Sequence, residues 1–294
     1  MLPRFEYIRA KNLNEAIRIL STEDNGVKIL AGGTDIFVDM KQGQSHPRLL
    51  VDIKFIPELS QLSTGINGEL VLGAAVKLAE LEYWAAGQKD WSGLSITARN
   101  IGSEQVRNRG TVVGNVCRAS PAADMVPMLI ALDAWVEIVG SEKPKLLPVE
   151  DFLVGPGQTA LKIGELVKSL RIPKQPSNTG TAFLKLSNRR AMNVATVSAA
   201  AKITINSTNQ IKSACVVLGA VAPTPIRILE AETILSNEGL TELSLEKISN
   251  LASAAAKPIT DFRSSKDYRL KIVKILTQRV LKQAWRKATQ AKGI

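Results

Sequence analysis

Two adjacent glycines, Gly32 and Gly33, follow a short apolar run and precede Thr34 and Asp35. Because glycine has no Cβ atom, backbone N–H groups can approach a ligand closely here, and successive N–H groups form a concave anion-binding site. The Thr34 hydroxyl adds another donor. The pattern indicates an anion-binding loop, and an ordinary tight turn is the alternative.

A second glycine-bearing segment, residues 110–115 (GTVVGN), predicts another bare turn with hydroxyl and amide donors. It is followed by a helix start, in which Ser120 is the expected N-cap, Pro121 lies in the first turn and Asp124 completes that turn. A helix N-terminus beside a glycine turn favours an anion. Two such segments on adjacent α/β units would hold one diphosphate from both sides.

The sequence lacks the motifs of other nucleotide-binding sites, of metal sites and of histidine-based catalytic sites. The sequence contains neither a dinucleotide-binding G-x-G-x-x-G after a strand nor a P-loop. Cys117 and Cys215 are too far apart for a zinc or iron–sulfur motif, and we expect two unpaired, buried small side chains. The single histidine, His46, precedes Pro47 and is expected in a turn. We therefore predict no catalytic residue and no metal site.

Three units are expected to position the two glycine segments. Residues 1–55 form a small α/β unit with a helix over 12–20 and strands over 27–30 and 49–53. Residues 56–176 form a second α/β unit. A Pro- and Gly-containing linker then leads into residues 177–294, which alternate like antiparallel strands and end in helices.

The predicted elements of the last two units follow from periodicity. A strand turns into a helix over 69–85, and a helix within 94–110 runs into a polar loop. Further elements are a helix over 123–133 and strands over 134–140, 165–173, 181–187, 195–205 and 211–223.

The charge balance favours an anionic partner. Lys and Arg number 38 against 27 Asp and Glu, a net charge of +11, which suits nucleic acid, an acidic protein surface or a phosphorylated cofactor. The basic residues are densest near the C-terminus, where Tyr268, Ile272, Ile275, Val280 and Trp285 recur near a helical period. We expect a helix packed on its own domain with a solvated basic face, and a nucleic-acid-binding helix is the alternative.

No apolar stretch approaches the ~18 residues that cross a bilayer. The first residues, MLPRFEYIRAKNLNEAI, are charged throughout and lack the apolar core of a signal peptide. We expect a cytoplasmic protein without a membrane span.

Three motifs together give a specific resemblance. ILAGGTDI, IGSEQVRNRGTVVGNVCRASPAAD and FLKLSNRRAMNVATVSAA occur in the order seen in the FAD-binding medium subunits of molybdenum hydroxylases, which the chain resembles over nearly its whole length. That family includes the flavoprotein subunits of carbon monoxide, xanthine and nicotinate dehydrogenases. The resemblance implies an α+β protein with a vanillyl-alcohol-oxidase-like (PCMH-type) FAD-binding fold, in which two α/β subdomains precede a C-terminal antiparallel sheet with helices.

The resemblance also implies the cofactor contacts. The first FAD segment would comprise Ile29, Leu30, Ala31, Gly32, Gly33, Thr34, Asp35 and Ile36, and the second Thr111, Val112, Val113, Gly114 and Asn115. Asp124 would lie at the ribityl chain, Ile101 against the isoalloxazine, Val167 in the flavin pocket and Lys185 near the flavin, where a cation favours the reduced, anionic ring. Without the shared order of motifs, Ile101 and Val167 would pass as core residues and Lys185 as a solvated strand lysine.

The implied function is electron transfer through non-covalently bound FAD. A large partner subunit would carry the molybdopterin cofactor and a small one the [2Fe–2S] clusters, as a dimer of heterotrimers with NAD or a quinone as acceptor. The chain lacks the inserted cysteine cluster of 4-hydroxybenzoyl-CoA reductase relatives. The alternatives are a stand-alone FAD-dependent oxidoreductase of this fold and a basic nucleic-acid-binding module, the latter disfavoured by only 4% aromatic residues.

Overall fold

A computed structural model describes residues 2–22, 26–189 and 192–290. Its first unit is a parallel sheet with β3 in the centre and β1 and β2 on either side. The amphipathic helix after β1 buries Ala16 and Leu20, one turn apart. The elements are β1 (Glu6–Arg9), α1 (Leu13–Thr22), β2 (Val27–Leu30), α2 (Ile36–Lys41) and β3 (Leu49–Asp52). The predicted helix and two strands are confirmed, whereas β1 and α2 had not been predicted.

The second unit is built on a five-stranded antiparallel sheet of order β4-β5-β10-β6-β7, with β8 and β9 as a separate hairpin. Helices α3 to α7 occupy the long connection between β5 and β6, and the short α8 follows β7. The elements are β4 (Leu62–Thr64), β5 (Leu70–Gly73), α3 (Leu78–Ala86), α4 (Ser92–Arg99), α5 (Glu104–Arg107), α6 (Val112–Cys117), α7 (Met125–Ala131), β6 (Trp135–Val139), β7 (Lys145–Pro148), α8 (Val149–Phe152), β8 (Leu153–Gly155), β9 (Gln158–Thr159) and β10 (Leu166–Ile172).

The third unit is an antiparallel meander followed by helices, as predicted. The strands are β11 (Thr179–Leu186), β12 (Val197–Ile205), β13 (Ile211–Gly219) and β14 (Ile226–Arg227), paired in chain order. The helices are α9 (Leu229–Glu238), α10 (Glu242–Ala255) and α11 (Lys266–Gln290).

The meander joins the third unit to the second, because both of its faces are buried. Along β12, Ala200 belongs to the core shared with the first two units, whereas Ala199 and Ala201 belong to the core formed with the C-terminal helices. This alternation follows from the two-residue period of a strand. On the first side α4 and α7 pack against the sheet, and on the other side α11 lies along β11 and β12.

The C-terminal helix forms where expected and packs on its own domain, but its predicted apolar face is only partly correct. Val280 is buried and Ile272 and Trp285 pack against the core, whereas Tyr268 and Ile275 are 48% and 42% exposed. The buried residues of the helix are Arg269, Val273, Leu276, Thr277, Val280, Leu281, Ala284 and Ala288. The face is set by the sheet below it, where Arg269 donates hydrogen bonds to the Thr196 and Ala220 carbonyls, so a polar residue lies on the buried side.

Candidate functional site

One cleft of about 840 Å³ lies where the three units meet, within the size range of small-molecule sites. Most predicted site residues line it, namely Ile29, Ala31, Gly32, Gly33, Thr34, Asp35, Ile36, Ile101, Thr111, Val113, Gly114, Asn115, Asp124 and Val167. Leu30 and Val112 do not: the structure buries both in hydrophobic clusters, because apolar side chains at the end of β2 and the start of α6 face the cores. Lys185 also lies outside the lining residues.

The first glycine segment is an open loop at the carboxyl end of the parallel strand β2, the edge at which α/β sheets bind ligands. Gly33 has a φ of +77°, which favours glycine. Within the described chain, no acceptor takes the backbone N–H groups of Gly32, Gly33 or Thr34. The segment therefore presents unused donors to the cleft, as the anion-binding hypothesis requires.

Gly32 is required by contact with protein, which its sequence context did not reveal. A Cβ atom at Gly32 would lie 2.4 Å from the Arg109 carbonyl oxygen and 2.6 Å from the Gly110 Cα. The two glycine-bearing segments thus pack backbone against backbone. The segments can pack in this way because Gly32 has no side chain. The packing fixes the position of the loop that lines the cleft.

The second segment is a helix, so the predicted bare turn was wrong. Thr111 precedes α6, and its hydroxyl accepts a hydrogen bond from the Gly114 N–H at 2.9 Å. The Asn115 Oδ1 accepts from the Met125 N–H at 3.2 Å. These acceptor oxygens are engaged by the protein itself, and they shape the cleft wall.

The expected helix start at Ser120 is displaced. Ser120 closes a turn in which its carbonyl accepts from the Ala123 N–H at 2.9 Å and its hydroxyl from the Ala122 N–H at 3.3 Å. Helix α7 begins only at Met125, and Asp124 is its N-cap without a side-chain capping bond. The Asp124 carboxylate is consequently available for other contacts.

Asp124 forms a buried ion pair with Lys185. The Lys185 Nζ donates to Asp124 Oδ2 at 2.7 Å, and the two side chains are 9% and 8% exposed, in the order Lys185 and Asp124. The same ammonium donates to the carbonyls of Asn100 at 2.6 Å and Asn193 at 3.3 Å. Burial raises the pKa of Asp124, although Lys185 opposes that shift. Lys185 is therefore a neutralised side chain that joins three segments around the cleft, which corrects the expectation of a free cation.

The other Asp124 oxygen provides a test of what the cleft can hold. Oδ1 is buried and receives no hydrogen bond from any described residue. A buried carboxylate oxygen without a donor costs free energy, so a donor from outside the chain is needed to compensate it. A hydroxyl-bearing ligand in the cleft would supply one, and the residues present fit the hydroxylated chain of FAD.

An apolar wall lies in the same cleft. Ile101 and Val167 are almost completely buried and both line the cavity. The backbone of Ile101 is fixed by Arg107, which donates to its carbonyl at 3.2 Å. A planar ring system fits such a surface.

Several cleft residues were not singled out in the sequence. Arg118 directly succeeds α6, and its guanidinium pairs with Asp39 of α2. Met192, Asn193 and Val194 reach the cleft from the third unit. All four lie within the second and third motifs of the family resemblance, but nothing in their residue types singled them out as cleft residues.

Cys117 also lines the cleft, where the sequence had predicted a buried side chain. The residue as a whole is half-buried and unpaired, and burial of its thiol raises the pKa to about 12, so the reactive thiolate is scarce. Cys215 is buried as expected and also free.

The described residues offer neither a metal-binding cluster nor a membrane-spanning helix. They contain no group of three His, Cys, Asp or Glu side chains that could hold a metal ion. Within the same ranges, no helix is long and apolar enough to cross a bilayer.

Two family models match the chain. The FAD binding domain in molybdopterin dehydrogenase matches residues 3–175, and the CO dehydrogenase flavoprotein C-terminal domain matches residues 182–284. The first model alone spans more than half of the chain.

Curated relatives match over almost their full length. The chain is 31% identical to the xanthine dehydrogenase FAD-binding subunit of Escherichia coli O157:H7, covering 95% of both proteins. It is 30% identical to the carbon monoxide dehydrogenase medium chain of Hydrogenophaga pseudoflava, covering 96% of this chain and 98% of the relative.

Solved structures agree with these matches. A crystal structure of the cyanide-inactivated Cu,Mo-CO dehydrogenase gives a TM-score of 0.93 at 29% identity, covering 98% of this chain and 100% of that chain. The crystal structure of quinoline 2-oxidoreductase from Pseudomonas putida 86 gives a TM-score of 0.91 at 27% identity. That match covers 98% of this chain and 99% of the other chain. The PCMH-type fold expected from the sequence is confirmed.

Proposed function

We propose that this chain, which belongs to the family of FAD-binding medium subunits of molybdenum hydroxylases, binds one FAD non-covalently in the cleft. Its proposed role is to transfer electrons within a multi-subunit dehydrogenase. Family membership makes the chain an oxidoreductase subunit with an FAD-binding domain. The electron path, the partners and the residue contacts are our proposal.

The observation that supports FAD most directly is the combination of surfaces in one cleft. Unused N–H groups at Gly32, Gly33 and Thr34 suit a diphosphate, because successive backbone donors bind anions. The unpartnered Oδ1 of Asp124 suits a hydroxyl donor. The apolar wall suits a planar ring. FAD carries all three chemical parts.

We assign the contacts accordingly. Residues 31–35 would hold the diphosphate, and the start of α6 would form the opposite wall. Asp124 would accept from the ribityl chain while Lys185 fixes its carboxylate. Ile101 and Val167 would cover the isoalloxazine and exclude water.

When bound, FAD supplies the one- and two-electron redox chemistry. The residues of this chain bind and orient the group, keep water from one side of it and set the charge around it. No acid–base residue is assigned a catalytic role. A covalent link is not proposed, because the high pKa of the Cys117 thiol disfavours its nucleophilic form.

The partners are inferred from the family. We propose a large subunit with the molybdopterin cofactor and a small subunit with [2Fe–2S] clusters, assembled as a dimer of heterotrimers, with NAD or a quinone as the final acceptor. Relatives are named as medium chains of dehydrogenases, which supports a multi-subunit assembly. A cytoplasmic location belongs to the same proposal.

The test is a purification of the full chain from its native host. We expect one FAD per chain, release of all yellow colour by acid precipitation, and two co-purifying subunits. Colour retained in the pellet would contradict non-covalent binding. A yellow protein that purifies alone and oxidises a substrate by itself would favour the stand-alone oxidoreductase.

A further inference from the structure

Arg118 lies on the cleft wall between two carboxylates of the first unit. Its Nη atoms donate to both oxygens of Asp39, one of them at 3.1 Å. Its Nε lies 3.6 Å from Asp35 Oδ1, beyond a hydrogen bond. The Arg118 side chain is 43% exposed, so a ligand in the cleft can reach it.

Carboxylates in this cleft pose an electrostatic problem for an anionic ligand. Asp35, Asp39 and Asp124 all line it. Lys185 neutralises Asp124 from behind. Asp35, however, belongs to the loop whose free N–H groups suit a diphosphate, and a carboxylate beside a diphosphate is repulsive. A cation at Asp35 and Asp39 is needed to make this end of the cleft accept phosphate.

Arg118 is placed to supply that cation and further donors. A guanidinium has five N–H groups, and the pair with Asp39 uses only those on the Nη side. The Nε–H faces Asp35 at a distance that leaves it free for a stronger acceptor. Asp39 holds the Arg118 guanidinium in a fixed orientation. Less conformational entropy is therefore lost when the guanidinium binds a phosphate.

We propose that Arg118 determines specificity for phosphorylated ligands: it offsets the charge of Asp35 and Asp39 and donates to the diphosphate held by residues 32–34. This inference rests on the proposed FAD binding. It assigns Asp39 a positioning role, in which the carboxylate orients Arg118 but adds unfavourable charge.

A purely structural explanation makes a different prediction. The Arg118–Asp39 pair joins α6 to α2, so it could serve only to tie the first two units together. In that case Arg118→Gln and Asp39→Asn would weaken FAD binding alike, because each breaks the same pair. Our proposal predicts that only Arg118→Gln weakens FAD binding, because it removes the favourable charge. Asp39→Asn removes an unfavourable charge and keeps an amide oxygen that still accepts from the Arg118 guanidinium.

The experiment measures FAD and riboflavin binding by flavin fluorescence on the full chain after its flavin has been released. We expect Arg118→Gln to weaken FAD binding on the order of tenfold, as for loss of a charge-assisted hydrogen bond, and Arg118→Lys to recover part of it. Asp39→Asn should bind FAD as tightly as the wild type or more tightly. Riboflavin, which has no phosphate, should bind equally to all variants.

Lys247→Gln is the matched control, because it removes one positive charge from an exposed pair with Glu238 that does not line the cleft. It should leave FAD binding unchanged. Equal weakening by Arg118→Gln and Asp39→Asn, an unchanged affinity in Arg118→Gln, or an equal loss of riboflavin binding would each overturn the inference. If the wild type itself binds no FAD, the proposed function falls and this inference with it.

Discussion

The two glycine-bearing segments of the cleft each contain glycine and threonine, but they have different structures. Residues 31–35 remain an open loop with unused N–H donors, whereas residues 111–115 start a helix. There the Gly114 and Asn115 N–H groups donate to Thr111, and the Val112 N–H donates to the Val76 carbonyl. The difference arises from the side chains next to the glycines. Val112, Val113 and Val116 have a core to enter, so burial pulls the second segment into a helix.

The contrast shows that one sequence feature can have two physical causes. Gly33 is required by its own backbone conformation at φ +77°. Gly32 is required by its contact with the backbone of Arg109 and Gly110, where a Cβ atom would not fit. The open loop and the helical segment are therefore one coupled structure, and a change in either should affect both.

The largest effect is expected where the two segments touch. Gly32→Val places a branched side chain against the Arg109 carbonyl and the Gly110 Cα, backbone atoms that cannot rotate away. We expect a loss of roughly 4 kcal/mol in the free energy of unfolding and loss of FAD binding. Urea unfolding and flavin content measure the two effects.

Gly87→Val is a suitable control for this substitution. Gly87 has open space around its missing Cβ and ends α3 away from the cleft lining. The Gly87→Val variant should fold and keep its flavin. Full flavin occupancy in a stable Gly32→Val variant would show that the two segments are independent.

A smaller effect is expected at the buried pair behind the second segment. Lys185→Met leaves the Asp124 carboxylate without its cation, at a cost of about 3 kcal/mol for breaking a buried ion pair. Since Asp124 can then take up a proton, the net charge beside the flavin changes little. We expect a flavin potential close to that of the wild type, in contrast to the shift expected if Lys185 were a free cation.

The pH dependence of this variant is determined by the same pair. Burial raises the pKa of Asp124 in the folded protein above the usual value of 3.8. Proton binding to Asp124 therefore stabilises the folded state fully below pH 3.8, and this stabilisation is lost as the pH rises through the pKa of the folded state. Without Lys185 that pKa rises further. The destabilisation by Lys185→Met should therefore be smallest near pH 4 and grow toward neutral pH, measured by urea unfolding. A cost independent of pH would contradict a charged Asp124.

Much of the fold was predictable because it depends on local periodicity. The helix predicted over 12–20 and strand β2 follow their apolar spacing, and the meander follows its two-residue alternation. Helix α6 was missed because its three valines and one glycine are poor helix formers, and only tertiary burial overrides that preference. The exposure of Tyr268 and Ile275 on α11 has the same origin, since the sheet beneath the helix selects the buried residues.

The cleft was predictable in its backbone segments and not in its charges. The first glycine loop was found because glycine and threonine mark it locally. The pairs Asp124–Lys185 and Asp39–Arg118 join residues of different units. A single charged residue in a sequence does not reveal its partner, so neither the neutralisation of Lys185 nor the pairing of Arg118 with Asp39 was predictable.

The smallest effects are expected for substitution of the threonine in each segment, Thr111 and Thr34. Thr111 caps α6, so Thr111→Ala should cost about 1 kcal/mol of unfolding free energy and loosen FAD binding through the displaced helix start. Thr34 makes only a weak 3.4 Å contact with Asp35, so Thr34→Ala should leave stability unchanged and affect FAD alone, if its hydroxyl meets the diphosphate. Urea unfolding and flavin titration of both variants would separate these roles. An equal loss of stability in the two would mean that the first segment is also held by its hydroxyl, and that the contrast between an open loop and a capped helix is smaller than the structure indicates.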